Sequence, residues 1–124
     1  MLGVLLVLHG SRVAEWQDTA KQYVELLREN FQLVKYGFIE FNKPSLRESA
    51  EELVLSGADE IVVVPLLFAA GAHFKRDIPK LLGMQGDQIV VNGKRVRVKI
   101  GDPVGVDRRV AEVLVDRVRQ VISS

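Results

Sequence analysis

His9 and His73 are the only imidazoles among 124 residues, and cysteine is absent. That excludes thiolate catalysis, Cys-based zinc sites and a disulfide framework. His9 directly follows an apolar run, residues 3–8 (GVLLVL). His73 lies in the loop after a second run, residues 60–67 (EIVVVPLL), and Glu40 is near the end of residues 33–41 (LVKYGFIEF). If the three runs are adjacent strands, about 4.8 Å apart, two imidazoles and a carboxylate meet at one edge. Such a trio could hold a divalent cation and leave positions open for a substrate. Taken singly, each residue has a plainer reading. A loop histidine is ordinarily a surface or hydrogen-bonding residue, and Glu40 a solvated carboxylate at a strand end. The shared placement is what favours chemistry. Arg12, Lys43, Lys75 and Arg76 border the same loops, where they could draw an acidic substrate or simply keep the surface soluble.

Other chemistries find little support. No two glycines stand two apart, so a dinucleotide fingerprint is impossible, and Gly93-Lys94 lacks the earlier glycine of a phosphate-binding loop. No serine occupies a nucleophile elbow. His9-Gly10 after a first strand is weakly similar to the histidine phosphatases, but Leu8 stands where their phosphate-binding arginine precedes the histidine.

The elements that must position these residues follow from hydrophobic patterning. Residues 3–8 form a short continuous apolar run, as expected of a strand buried on both faces. Trp16, Ala20, Tyr23, Val24, Leu27 and Phe31 recur at helical spacing opposite Glu15, Asp18, Lys21, Glu25 and Arg28, an amphipathic helix. Residues 33–41 are rich in strand formers but interrupted by Lys35 and Gly37, which suits an edge. Ser45 and Glu48 form a capping box for a helix with the stripe Leu46, Ala50, Leu53 and Val54, closed by Gly57. Residues 60–67 read as a central strand, 68–75 as a loop, and 77–82 as a short helix. Asn92-Gly93 between residues 89–91 and 95–100 predicts a hairpin with a type I′ turn. In its second arm Arg95, Arg97 and Lys99 alternate with Val96, Val98 and Ile100, the pattern of another edge. Asp107 can cap a last helix with the stripe Val110, Val113, Leu114, Val118, Val121 and Ile122.

This alternation predicts an α/β fold: one domain over residues 1–124, three layers, and a four-stranded, mainly parallel sheet of order 2-1-3-4 with helices on both faces. Ligands of such sheets bind beyond the carboxyl ends of the strands, where the chain leaves in opposite directions. His9, Glu40 and His73 all fall there. Composition sets further bounds. The chain is 48% hydrophobic and 27% charged, ordinary globular values. With 17 basic and 16 acidic residues it lacks the basic excess that nucleic-acid binding requires. The longest apolar stretch, residues 61–72, contains Pro65 and Gly71 and is far shorter than the ~20 residues needed to cross a bilayer. Residues 1–8 have no basic flank and no cleavage site, which favours a buried strand over a signal peptide. The expectation is a cytoplasmic protein without a membrane or nucleic-acid partner.

A resemblance can be placed on particular residues. Leu8-His9-Gly10-Ser11-Arg12 follows the first strand, and Phe38, Glu40, Pro44 and Ser45 follow the second. Val62 to Phe68 leads to Ala70-Gly71-Ala72-His73, then Asp77-Ile78-Pro79, and Gly101-Asp102-Pro103-Val104-Gly105 precedes the last helix. Over nearly the whole chain this resembles the sirohydrochlorin chelatases of class II, in their short, CbiX-type cobalt-inserting form. The resemblance implies metal ligation by His9 and His73, with Glu40 as a third catalytic residue; the pyrrole protons need a base, for which Glu40 or a histidine freed as the metal transfers is the candidate. It implies a substrate surface at Ser11, Arg12, Lys43, Phe68, Gly71, Ala72 and Arg76. It implies a lyase that inserts Co²⁺, or Fe²⁺ or Ni²⁺, into a sirohydrochlorin-type tetrapyrrole on the route to cobalamin, with the metal as substrate, no permanently bound cofactor, and a homodimer or higher homo-oligomer. A non-catalytic metal or tetrapyrrole carrier and a phosphoester hydrolase using His9 are the alternatives.

Overall fold

The structure, a computed structural model, describes residues 1–68 and 72–123, the side chains of 72–75 excepted. In chain order the elements are β1 (Leu2–Leu8), α1 (Glu15–Leu27), β2 (Leu33–Phe38), α2 (Leu46–Leu55), β3 (Glu60–Pro65), α3 (Ala72–Leu82), β4 (Gln88–Val91), β5 (Lys94–Ile100) and α4 (Arg108–Ser123). The α/β class is as the alternation predicts. The sheet, however, has five strands in the order β2-β1-β3-β5-β4, not four. Both arms of the Asn-Gly hairpin join it, with Asn92 at φ 49° and Gly93 at φ 81° in the turn. The arm expected at an edge, β5, pairs parallel with β3 and antiparallel with β4, so β4 is the outer strand. The alternation of β5 comes from having one uncovered face, not from an edge position.

β1 is the hub. It pairs in parallel with both β2 and β3, in a register that sets Leu8 beside Phe38 and Val7 beside Pro65. The carboxyl ends of three strands therefore finish level with one another. Side chains alternate between faces. Leu5, Val7, Ile61, Val63, Val96 and Val98 pack under α2 and α3, against Leu46, Leu53, Ile78 and Leu82. Val4, Leu6, Leu8, Val34 and Phe38 pack under α1, against Ala20 and Val24. α2 starts at the expected capping box: the Ser45 hydroxyl accepts from the Glu48 N–H at 3.2 Å, and the Glu48 carboxylate accepts from the Ser45 N–H at 3.0 Å. The latter contact lowers the Glu48 carboxyl below its ordinary value.

Three helix expectations need correction. In α1 only Ala20 and Val24 are buried, while Trp16 and Tyr23 are 43% and 44% exposed and Phe31 lies beyond the helix end. α3 begins at Ala72, within the expected loop, because 72–76 contain no helix breaker. α4 forms where expected, with Asp107 Oδ1 accepting from the Arg109 N–H at 2.8 Å, but none of its described residues is buried.

Candidate metal centre

Parallel pairing of β1 and β2 continues past their last residues. The Ile39 N–H donates to the Leu8 carbonyl at 2.9 Å and the Glu40 N–H to the His9 carbonyl at 3.0 Å. His9 and Glu40 are thereby held side by side. Gly10 then turns the chain at φ +100°, and a Cβ at this position would collide with the Glu40 carbonyl oxygen. Asn42 ties the two loops together: its N–H donates to the Glu40 carbonyl at 2.8 Å, and its Oδ1 accepts from the Ser11 N–H at 2.7 Å.

His9 Nε2 stands 3.5 Å from Glu40 Oε1, with the two side chains 60% and 50% exposed. His9 Nδ1 lies 3.3 Å from the Gly10 carbonyl. In the neutral tautomer that donates from Nδ1 to this carbonyl, the lone pair stands on Nε2. Lone pair and carboxylate then face each other, and the pair is satisfied by a proton on Nε2 or by a cation shared between them. The spacing suits a shared ion. Two ligand bonds of about 2.1 Å spanning 3.5 Å subtend about 110°, near the tetrahedral angle.

The expected residues distribute unevenly around this pair. The backbone of His73 lies in the first turn of α3, after β3, but its side chain is outside the described residues, as are Gly71 and the side chains of Ala72 and Lys75. Among the described residues no group of three His, Asp or Glu gathers around one point. The Arg12 guanidinium lies over the Phe41 ring, 5.3 Å from its centre, and spans the two loops. Ser11 Oγ accepts from the Val13 N–H at 3.1 Å and keeps its own proton to donate. Lys43 is exposed while its carbonyl accepts from Gln17 Nε2 at 3.3 Å. Phe68 is 63% exposed at the end of the β3 segment, and Arg76 is exposed on α3.

A cavity of about 290 Å³ opens beside His9, lined also by Gly10, Ser11, Trp16, Leu66 and Leu67. A more apolar one of about 270 Å³ continues from it past Trp16 to Thr19, Tyr23 and Phe68. Gly10, Asn42 and Trp16 are the site residues that sequence reasoning missed. A glycine directly after a candidate ligand signals close backbone approach. Asn42, within a turn-forming stretch, offers only the general turn propensity of asparagine. Trp16 looked like core because it falls on the apolar stripe of α1.

An imidazole and a carboxylate thus stand together on adjoining strand-end loops of an α/β sheet, at the switch point where such folds bind their ligands. The CbiX family model matches residues 3–121, and the chain belongs to that family. It is 58% identical to a sirohydrochlorin cobaltochelatase of Sulfurisphaera tokodaii over 124 residues, covering all of this chain and 97% of the relative. Among solved structures it is similar to a cobalamin (vitamin B12) biosynthesis CbiX protein from Marinobacter aquaeolei, with a TM-score of 0.75, 25% identity, and 99% and 98% of the two chains covered. It is also similar to the sirohydrochlorin chelatase SirB from Bacillus subtilis in complex with cobalt, with a TM-score of 0.82 and 30% identity. There 97% of this chain matches 50% of the longer one, so this chain spans about half of SirB.

Proposed function

We propose that this protein inserts Co²⁺ into sirohydrochlorin on the route to cobalamin, as one domain comprising residues 1–124. The observation that carries the reading is the His9–Glu40 pair, whose two acceptor atoms face each other at 3.5 Å on loops locked together by Gly10 and Asn42. The full-length likeness to the Sulfurisphaera enzyme supports the choice of substrate and metal.

The reaction exchanges one Co²⁺ for two pyrrole N–H protons. Imidazole binds Co²⁺ firmly yet exchangeably, whereas a thiolate would retain it, so a cysteine-free site suits a donor. His9 presents Nε2 to the metal, and His73 supplies the second imidazole from the start of α3. As the metal passes to the macrocycle, Glu40 receives the two pyrrole protons in turn and, being half-exposed, returns each to water. Arg12, Lys43 and Arg76 meet the substrate's carboxylates through charge-assisted hydrogen bonds. Ser11 offers a hydroxyl proton, Phe68 an apolar face, and Gly71 and Ala72 room for close approach. The same ligand set accommodates Fe²⁺ or Ni²⁺. A macrocycle needs walls on both faces, and one sheet edge with open cavities of about 290 and 270 Å³ provides one of them. A second copy of the chain supplies the other, in the cytoplasm.

Purified protein incubated with Co²⁺ and excess sirohydrochlorin, followed by the macrocycle's absorption change against an enzyme-free control, tests this directly. Many equivalents of product per chain are expected. A single stoichiometric equivalent identifies a carrier, and no rate above the control overturns the reading.

A further inference from the structure

Among the described residues only Phe41 and Asn92 combine a side chain with a left-handed backbone, at φ 68° and φ 49°. Asn92 is in a hairpin turn that requires this conformation, and asparagine tolerates it. Phe41 is different, because a bulky side chain is an outlier there. The Asn42 N–H donates to the Glu40 carbonyl at 2.8 Å, which closes a three-residue turn around Phe41. With φ positive at its centre this is a γ-turn of the rarer and more strained kind.

The turn is held by its neighbours on both sides. The Glu40 N–H donates to the His9 carbonyl at 3.0 Å, and Asn42 Oδ1 accepts from the Ser11 N–H at 2.7 Å. Glycine or asparagine would make the same turn with less strain, so the turn does not select phenylalanine. Neither does the core. Phe41 is 59% exposed, whereas Phe38, three residues earlier, is 2% exposed. A strained residue with an exposed aromatic ring directly after Glu40 points to a task at the site.

Arg12 narrows that task. Its guanidinium lies over the Phe41 ring at 5.3 Å from the centre, within cation–π range. Such a contact uses the charge of the cation rather than its N–H donors, which are left for an anion. The exposed surface of Phe41 is the part of the ring that Arg12 does not cover. β2, β1 and β3 end side by side in that order. Phe41 and Arg12 therefore flank the His9–Glu40 pair on the β2 side, and the cavity with Trp16, Leu66 and Leu67 flanks it on the β3 side. The three strand ends span two inter-strand spacings, about 10 Å. A flat macrocycle laid across them needs support on both sides to keep its centre over the metal.

We propose that Phe41 is a substrate-positioning residue: its ring packs on the rim of the macrocycle on the β2 side, and Arg12, seated on that ring, takes a peripheral carboxylate there. This rests on the chelatase reading above and adds the residue that sets where the macrocycle's centre falls relative to His9 and Glu40. Aromatic rings gain from stacking on a flat conjugated partner beyond the area they bury.

Fluorescence titration with metal-free sirohydrochlorin, and calorimetric titration with Co²⁺, on native, Phe41→Tyr, Phe41→Leu, Arg12→Gln and Phe41→Leu/Arg12→Gln chains test this. Phe41→Leu keeps an apolar side chain without a flat face, so the Kd for sirohydrochlorin should rise about tenfold while Co²⁺ affinity is unchanged. Phe41→Tyr should bind as the native chain does. The double variant should bind scarcely worse than the weaker single one, because ring and guanidinium act as a unit. An unchanged Kd in Phe41→Leu overturns the proposal, as do single effects that multiply in the double variant. Co²⁺ affinity that falls in step with sirohydrochlorin affinity also overturns it, by making Phe41 a support for Glu40. Native protein that neither binds nor metallates sirohydrochlorin removes the functional reading and this role with it. Native turnover with undisturbed binding in Phe41→Leu removes the positioning role alone.

Discussion

Replacing Gly10 with alanine perturbs the joint on which the metal centre depends. Gly10 sits at φ +100°, where an L-residue is strained by roughly 1–3 kcal/mol. For a chain of 124 residues the unfolding entropy is about 0.26 kcal/mol/K, so that strain lowers Tm by about 4–12 °C. The steric effect acts on the site itself. The new methyl lies against the Glu40 carbonyl, and relief of the clash separates the two loops. His9 Nε2 and Glu40 Oε1 begin 3.5 Å apart. Beyond about 4.2 Å no single ion reaches both at about 2.1 Å. A displacement of about 1 Å therefore ends sharing, and misplacements of that size cost about 10²-fold in rate. Differential scanning calorimetry should show the lower Tm, titration calorimetry a weaker Co²⁺ affinity, and the absorbance assay an insertion rate reduced about a hundredfold. An unchanged Tm would show that the two loops are not locked at Gly10. A lowered Tm with undiminished insertion would show that the locked pair is not where the metal is handled.

His9→Ala and His73→Ala should each lose most insertion activity while retaining the circular-dichroism spectrum; near-native turnover in either removes that residue from the ligand set. Glu40→Gln keeps the shape but removes both the anionic ligand atom and the proton acceptor, so Co²⁺ affinity should weaken and turnover fall by about 10²–10⁴. Undiminished Co²⁺ affinity with the same loss of turnover would leave Glu40 the base alone and exclude the shared ion. Hydrogen bonds from the Arg109 side chain and N–H hold the Asp107 carboxyl down to about 2. Its contribution is full above the ordinary carboxyl value of about 3.9 and is lost as pH falls through about 2. The urea midpoint of Asp107→Ala should therefore lie below that of the native chain at neutral pH and converge on it between about pH 4 and pH 2. A gap independent of pH would exclude the ionised cap as its source.

Local rules made much of this structure legible. The run Gly3–Leu8 has the character of a doubly covered strand, Ser45 and Glu48 form the expected capping box, and Asn92-Gly93 makes its hairpin. The meeting of His9 and Glu40 follows from topology alone, because parallel strands around β1 must end at one edge. What escaped depends on packing between elements. The alternation of β5 was ambiguous between an edge strand and an inner strand with one bare face, and the bare face exists because α4 lies elsewhere. Amphipathicity told that α4 carries an apolar stripe without telling that none of its described residues is buried against this chain's own sheet. Trp16 and Tyr23 carry the periodicity of core residues yet line an open trough. Asn42 acts through a contact with Ser11 across two loops, which no local pattern encodes.

The central claim is that cobalt is handled at the junction of His9 and Glu40. Crystals of the protein soaked with Co²⁺, with anomalous differences collected on both sides of the cobalt absorption edge, locate the ion directly. An anomalous peak about 2.1 Å from His9 Nε2, on the side facing Glu40 Oε1, is the predicted result. A fully occupied cobalt peak elsewhere, with His9 and Glu40 in contact only with each other or with water, would contradict it.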